Sequence, residues 1–219
     1  MKIAVLATAI IAAAMAFALR DPLAGSRAMW LGLVLPYVAL SLYAIYRMYE
    51  DGTLLDVMSV RAGDVTIGAV AAAALFGGAY AIRKLLLAGM TPQSAWLLHI
   101  ALELGSMRPS PAMFGIVTLL AICEELTWRG LVLSALTADL GNRRAWPIAA
   151  VAYGAAHLPT LFTLADPTVG PNPLLVFAAL GCGLVWSFVA SVLGRLPPVI
   201  VSHAVFSYFA LAVLLPRFL

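Results

Sequence analysis

Charged residues are scarce in this sequence. Asp, Glu, Lys and Arg together occupy only 11% of its 219 positions, whereas hydrophobic residues occupy 63% and the mean hydropathy is +1.01. A soluble domain carries about 25% charged residues. The deficit excludes an ordinary water-exposed domain and indicates that most of the surface faces a medium other than water.

Cysteine and clustered basic charge are scarce as well. The two cysteines, Cys123 and Cys182, lie in apolar segments without metal-ligand spacing, so we interpret them as small buried hydrophobic residues. The net charge is +3, but the basic residues stand singly or in pairs such as Arg143 and Arg144. This distribution argues against nucleic-acid binding and is typical of loops that set membrane topology.

Long apolar runs dominate the remaining sequence. Roughly 20 apolar residues cross the hydrocarbon core of a bilayer, and several runs approach or reach this length. We therefore predict an all-α fold, a polytopic transmembrane helix bundle of about seven or eight spans that forms a single membrane domain over residues 1–219. The predicted spans are residues 2–19, 28–46, 65–82, 112–136, 146–164, 174–193 and 198–215.

The first span admits a second interpretation. Lys2 precedes an apolar run, and Ala16-Phe17-Ala18 resembles a signal-peptide cleavage site. The apolar run from Ile3 to Leu19 is nevertheless longer than the usual signal-peptide core of about 7–15 residues. We expect a retained helix.

Residues 94–106 are too short to span a bilayer, and they place His99 and Glu103 on one helical face. This pattern favours an amphipathic helix at the membrane interface. The alternative is that residues 85–106 form an eighth span broken at Pro92.

The informative charges are Glu124, Glu125 and Arg129, within the predicted span 112–136. A charged Asp, Lys or Arg at the centre of a membrane helix costs about 2.5–3.5 kcal/mol, and such residues usually mark function. Glu125 and Arg129 are four residues apart and share one face, so they are expected to pair. Glu124 lies about 100° further around the helix and lacks an obvious partner there.

Two later spans each contain one histidine, His157 and His203. A lone histidine in an apolar helix is more often a packing residue than a catalyst, but these two can meet Glu124 at a similar depth. Pro159 should also kink its helix beside His157, because it lacks an N–H and crowds the carbonyl of Ala155. The economical interpretation is a wet pocket lined by Glu124 and both histidines.

A carboxylate beside imidazoles suits the activation of water for attack on a carbonyl. In this interpretation Glu124 and His157 polarise the water, whereas His203 and the Ser207 hydroxyl face the developing negative charge. No serine or cysteine nucleophile with an adjacent base stands out in the sequence.

Three motifs resemble the CPBP family, the CAAX proteases and bacteriocin-processing enzymes also called Abi proteins. Glu124-Glu125-Leu-Thr-Trp-Arg129 is similar to its EExxxR signature, Tyr153…His157 to its second motif, and His203…Ser207 to its third, HxxxN or a variant. The resemblance covers about residues 112–215, which would form the catalytic core. Tyr153 stands in place of the commoner Phe and adds a hydroxyl. Ser207 stands where Asn is frequent, and its shorter reach and single proton predict a weaker oxyanion hole.

The resemblance implies a glutamic-type intramembrane endopeptidase of a prokaryotic plasma membrane. Glu124, His157, His203 and Ser207 would be catalytic, and Glu125, Arg129 and Tyr153 would support them. Its partners would be membrane lipid and a membrane-associated peptide or protein: a CAAX tail, a leader peptide or a sorting signal. The helical HExxH zinc signature is absent, so we favour a metal-free mechanism. The alternative is zinc held by Glu124, His157 and His203.

Two other functions are compatible with buried polar residues. A non-catalytic scaffold or immunity protein would keep them for helix packing. A proton-coupled transporter would use Glu and His as a relay, although the sequence shows no inverted repeat of the kind that transporters often carry.

Overall fold

The structure is a computed structural model, which describes residues 1–88, 92–104 and 110–214, apart from the side chains of 103, 104 and 112. Over these ranges the chain is helical and contains no strand, which confirms the all-α class. The α-helices, in chain order, are α1 Lys2–Ala18, α2 Arg27–Glu50, α3 Leu54–Val57, α4 Asp64–Ala88, α5 Ser94–Leu104, α6 Pro111–Glu125, α7 Ser134–Leu140, α8 Asn142–Ala156, α9 Thr160–Thr163, α10 Leu174–Leu193 and α11 Pro197–Phe209. Within the same ranges, a 3-10 helix, Asp21–Leu23, and two π-helical segments, Leu126–Leu133 between α6 and α7 and Ala210–Leu214 after α11, complete the helical elements.

Within the described part of the chain, four helical segments are long and apolar enough to cross a membrane: α2, α4, α10, and α11 with its π-helical extension. The protein is an integral membrane protein. The other predicted spans fall on shorter or divided helices. Helix α1 has 17 residues, 112–136 lies within the run α6–π segment–α7, and 146–164 is divided into α8 and α9. The count of seven or eight spans is therefore not confirmed.

The helices pack around a core between α2, α8, α10 and the π segment Leu126–Leu133. All eight residues of that π segment are buried. In contrast, Leu42, Phe162 and Val192 project outward and are more than 60% exposed. A buried interior with large apolar side chains on the outer surface is the arrangement that a lipid-facing bundle requires.

Two glycines mark close helix contacts. A Cβ atom added at Gly68 of α4 would lie 2.6 Å from the carbonyl oxygen of Pro198, at the start of α11. One added at Gly183 of α10 would lie 3.1 Å from the Tyr153 ring and 3.2 Å from the carbonyl oxygen of Ala150, both on α8. The absence of a side chain at these positions lets α11 and α8, which carry candidate site residues, lie tightly against their neighbours.

The buried ion pair of Arg195 with Asp64 fixes the entry into α11. Asp64 begins α4, and its other carboxylate oxygen accepts a hydrogen bond from the backbone N–H of Arg61 at 2.8 Å. Because Arg195 lies two residues before α11, the pair ties the start of α11 to the start of α4. It thereby helps to set the height of His203 in the bundle.

Helix α8 ends at Ala156, and the chain turns through His157 before α9 begins at Thr160. Pro159 lies in this turn, where the sequence predicted a kink. The distortion is larger than a kink, since the helix stops and restarts. The backbone N–H and the hydroxyl of Thr160 both donate to the carbonyl of His157, at 2.9 and 2.7 Å, so the interrupted backbone is satisfied locally.

Helix α5 has 11 residues, about 16 Å at 1.5 Å per residue, and is too short to cross a bilayer. Two hydrogen bonds join this helix to the loop before α10. The indole Nε1 of Trp96 donates to the carbonyl of Gly170 at 3.3 Å, and Nδ2 of Asn172 donates to the carbonyl of Trp96 at 3.0 Å. His99 Nδ1 lies 3.9 Å from a carboxylate oxygen of Asp166 in the same loop. The interfacial position of α5 stays a prediction, and the side chain of Glu103 lies outside the described residues.

The loop that receives α5 is itself ordered by Asp166. One carboxylate oxygen accepts from the hydroxyl and the backbone N–H of Thr168 and from the N–H of Val169. These hydrogen bonds hold the pKa of the Asp166 carboxyl below its ordinary value. Asp166 therefore offers His99 a negative charge over a wide pH range.

The contact at Gly68 can be tested by substitution. We expect Gly68→Ala to lower the free energy of unfolding by about 1–3 kcal/mol, because the new methyl overlaps α11 backbone that cannot move freely. Chemical unfolding in detergent micelles measures this change. Gly77→Ala in the same helix is the control, since an added Cβ there meets nothing within 4 Å. Equal stability of the two variants would contradict the packing account.

Candidate active site

The two glutamates stand at the end of α6, where the helix widens. From Leu126 to Leu133 the hydrogen bonds follow the π pattern, from residue i to i+5, which enlarges the turn. The sequence predicted a regular helix here, because residue periodicity does not reveal such a segment. π-Helical turns often occur at functional sites, and this one carries Arg129.

Glu125 and Arg129 form the ion pair that their spacing predicted. Arg129 Nη1 donates to Glu125 Oε1 at 3.1 Å, and neither side chain is exposed. The same oxygen lies 2.7 Å from His203 Nδ1. Because a carboxylate can only accept, His203 carries a proton on Nδ1 and donates it. Glu125 thus joins α6 to α11 as well as to the π segment.

Arg129 has further partners on α8 and α10. Its Nη2 donates to the carbonyl of Gly183 at 3.4 Å. The guanidinium carbon lies 4.8 Å from the ring centre of Tyr153 and 5.4 Å from that of Trp186. Aromatic faces attract a cation, and more strongly where water is excluded. The carbonyl and the two aromatic rings therefore replace part of the hydration of the buried charge, whereas Nε of Arg129 has no hydrogen-bond partner among the described residues.

Glu124 faces a different partner. Its Oε2 accepts a hydrogen bond from the Tyr153 hydroxyl at 3.0 Å. The sequence indicated no partner on its own helix, and the structure supplies this one from α8. Glu124 is partly exposed where Glu125 is fully buried, so the adjacent glutamates occupy different environments.

His157 is held by the backbone at the break after α8. Its Nδ1 lies 2.8 Å from the carbonyl oxygen of Tyr153. A carbonyl cannot donate, so Nδ1 carries the proton and Nε2 of the neutral ring keeps a lone pair. The imidazole also packs edge-on against the Tyr153 ring, with centroids 4.8 Å apart. Tyr153 therefore positions both Glu124 and His157.

His203 is oriented by stacking. Its ring lies nearly parallel to that of Trp186, 19° between planes and 4.0 Å between centroids. The indole is fixed in turn, because Trp186 Nε1 donates to the hydroxyl of Ser202 at 2.9 Å. With Nδ1 on Glu125, His203 has only Nε2 left for another partner.

A cavity of about 760 Å³ brings the candidates together. Glu124, Tyr153, His157, His203 and Ser207 all line it, and most of the remaining wall is apolar. The apolar wall is contributed by many helices, for example by Met15, Leu33, Leu75, Leu97, Ile100, Val117, Leu175, Phe177 and Phe206. The size suits a substrate of several tens of atoms. Polar chemistry is thus confined to one part of an otherwise apolar space.

The structure gives His203 a partner that the sequence did not indicate. The sequence placed His203 with Ser207 toward the developing negative charge, and its Nδ1 lies 2.7 Å from Glu125 Oε1. Glu125 and Arg129 are not among the residues that line the cavity, and the supporting role that the family resemblance implies for them stays a prediction. Sequence reasoning missed Trp186, because a tryptophan in an apolar helix carries no signal that distinguishes it from ordinary core.

The zinc alternative has little support in the side-chain arrangement. Among the described residues, no group of three or more His, Cys, Asp or Glu side chains could hold a metal ion. Glu124, His157 and His203 line one cavity without forming such a group, and a zinc site needs three or four ligands at bonding distance. We therefore derive no step through a metal.

Comparison with protein families identifies the part of the chain that carries the site. Residues 106–209 match the family model described as type II CAAX prenyl endopeptidase Rce1-like. This match confirms the resemblance of the three motifs to the CAAX proteases of the CPBP family. Comparisons with curated proteins and with solved structures gave no match. Helices α1 to α5 precede the matched region.

The buried ion pair makes a measurable prediction. We expect Arg129→Met to lower the free energy of unfolding by about 3 kcal/mol or more, because Glu125 would stay buried without its countercharge. Denaturant titration in detergent measures the loss. Arg47→Met is the matched control, since its i,i+4 pair with Asp51 is exposed and such pairs contribute about 0.5 kcal/mol.

A double variant separates charge from packing. Glu125→Gln with Arg129→Met removes both charges, so it should recover part of the stability that Arg129→Met loses. A double variant no more stable than the single one would show that packing of the guanidinium, rather than its charge, dominates.

Proposed function

We propose that this protein is an intramembrane endopeptidase that hydrolyses a peptide bond of a membrane-associated peptide or protein, with Glu124 activating water. The observation that carries the proposal is the cavity. Glu124, His157, His203 and Ser207 line the same space within a domain that matches a family of CAAX prenyl endopeptidases.

Glu124 is suited to act as the base. The Tyr153 hydroxyl holds Oε2 at 3.0 Å, which leaves Oε1 to accept a proton from a water molecule. Because its hydration is reduced, a carboxylate in such a site accepts a proton more readily than one in bulk water. The water oxygen adds to the scissile carbonyl carbon while its proton passes to Glu124.

The two histidines would have different partners: His157 would bind the attacking water, and His203 would face the carbonyl oxygen. His157 is neutral with its proton on Nδ1, so Nε2 can accept a hydrogen bond from the water. His203 is held at Nδ1 by the Glu125 carboxylate, which leaves its Nε2 for the reacting carbonyl. In this proposal His203 and the Ser207 hydroxyl face the oxyanion, and the hydroxyl donates to it.

Collapse of the intermediate completes the reaction. The carbon–nitrogen bond breaks, and Glu124 returns its proton to the leaving amine, so water is consumed and no cofactor is needed. The products are a carboxylic acid and an amine. This balance agrees with a metal-free mechanism, in which the protein supplies all proton transfers.

The apolar cavity wall favours a substrate with a lipid-like part. A prenylated C-terminal peptide combines a scissile amide with an apolar chain, and it is the substrate class named in the description of the matching family. We propose this class first. A leader peptide or a sorting signal is the alternative, and a prokaryotic plasma membrane is the proposed location.

Glu124→Gln tests the mechanism. It keeps the size of the side chain and removes the base, so we expect kcat to fall by about 10²–10⁴-fold. The measurement uses purified protein in liposomes, with cleavage of a farnesylated peptide followed by mass spectrometry. Glu50→Gln is the control, because Glu50 is exposed on α2 far from the cavity lining. A fully active Glu124→Gln protein would overturn the role of Glu124 as the base.

Chelation tests the metal-free chemistry. We expect full activity after dialysis against 1,10-phenanthroline and EDTA, since the described His, Cys, Asp and Glu side chains form no group able to hold a metal ion. Metal analysis of the purified protein gives a second readout. Inhibition by chelators that added zinc reverses would overturn this part of the mechanism.

A further inference from the structure

Helix α2 contributes one deeply buried tyrosine. Tyr37 is 2% exposed, whereas Tyr43, Tyr46 and Tyr49 of the same helix are each more than 40% exposed. Tyr37 lies outside residues 106–209, the region that matches the protease family. Its helix packs against the π segment that follows Glu125.

The hydroxyl of Tyr37 lies against the candidate active site. Trp128 Nε1 donates to it at 3.3 Å, and Trp128 is four residues beyond Glu124 on the same helical run. Trp128 also packs edge-on against Tyr153, with ring centroids 5.3 Å apart, and the Tyr153 hydroxyl is the group that donates to Glu124. The Tyr37 hydroxyl is therefore bonded to a side chain that packs against the donor to Glu124.

The chemistry of the two side chains fixes which one donates in the contact between Trp128 and Tyr37. An indole N–H can only donate, so in the contact with Trp128 the phenol oxygen is the acceptor. The phenol proton is then free for a second partner, and a buried hydroxyl proton without an acceptor is costly. A carboxylate can only accept when ionised, so Glu124 is the natural recipient.

We propose that Tyr37 is a positioning residue for Glu124, acting from outside the matched domain. Trp128 fixes the phenol of Tyr37, which donates to the Glu124 carboxylate, while Tyr153 donates to Oε2 of the same group at 3.0 Å. Two tyrosines from α2 and α8 thus confine one carboxylate. This inference rests on the proposed role of Glu124 as the base.

Confinement affects the reaction rather than substrate binding. A carboxylate that loses one of two donors can rotate away from the attacking water, which weakens an interaction used in the transition state. Such a loss appears in kcat and leaves KM nearly unchanged. Tyr37→Phe keeps the ring that packs between the helices and removes only the hydroxyl.

Steady-state kinetics with the farnesylated peptide in liposomes test the proposal. We expect Tyr37→Phe to lower kcat by about tenfold with unchanged KM, as for loss of a hydrogen bond to a charged group. Incorporation of 4-aminophenylalanine at position 37, which retains a donor, should restore part of kcat. Tyr43→Phe, an exposed tyrosine of the same helix, should behave as wild type.

Trp128→Phe adds an independent test, because it acts through Tyr37. Its effect on kcat should largely disappear when Tyr37 is already Phe. Wild-type kcat in Tyr37→Phe, additive effects of the two substitutions, or failure of 4-aminophenylalanine to restore kcat would each overturn the role of Tyr37. Thermal unfolding of each variant identifies any that fail to fold, in which case the 4-aminophenylalanine protein decides the outcome.

Failure of the proposed function can be distinguished from failure of the positioning role of Tyr37. A fully active Glu124→Gln protein would remove the base and with it the proposal for Tyr37. An inactive Glu124→Gln protein together with a fully active Tyr37→Phe protein would leave the peptidase intact and remove only the positioning role.

Discussion

An ion pair inside a membrane helix must replace the hydration that it loses, and for Glu125 and Arg129 the replacement comes from three other helices. His203 of α11 donates to Glu125, the carbonyl of Gly183 on α10 accepts from Arg129, and the ring of Tyr153 on α8 faces the guanidinium. Desolvation of each ion costs several kcal/mol. The bundle is therefore constrained to keep these helices in register around one charge pair.

The same constraint gives the adjacent residues Glu124 and Glu125 different roles. Glu125 is fully buried and paired, so its charge stabilises the packing of the bundle. Its neighbour Glu124 lines the cavity and accepts a hydrogen bond from the phenol of Tyr153. A rotation of about 100° between consecutive helical positions is enough to separate these environments. Tyr153 belongs to both, because its ring contacts Arg129 and its hydroxyl contacts Glu124.

The sequence predicted most helix positions, since apolar runs report burial in lipid without reference to tertiary structure. It also predicted the pair of Glu125 with Arg129, which depends only on spacing along one helix. It did not predict that His203 would bond Glu125, that Trp186 would stack on His203, or that α6 would continue as a π segment. These features depend on how separate helices rotate and approach, which no local pattern encodes.

Gly183 shows how far the site extends beyond residues with reactive groups. A methyl group at this position would press on the Tyr153 ring at 3.1 Å, and that ring carries the hydroxyl that holds Glu124. A substitution at Gly183 that adds no reactive group would thus shift the Tyr153 ring and, through the hydroxyl of that ring, the Glu124 carboxylate. In a saturation mutagenesis map, this glycine should be as intolerant as a catalytic position, although it contributes no side chain to the reaction.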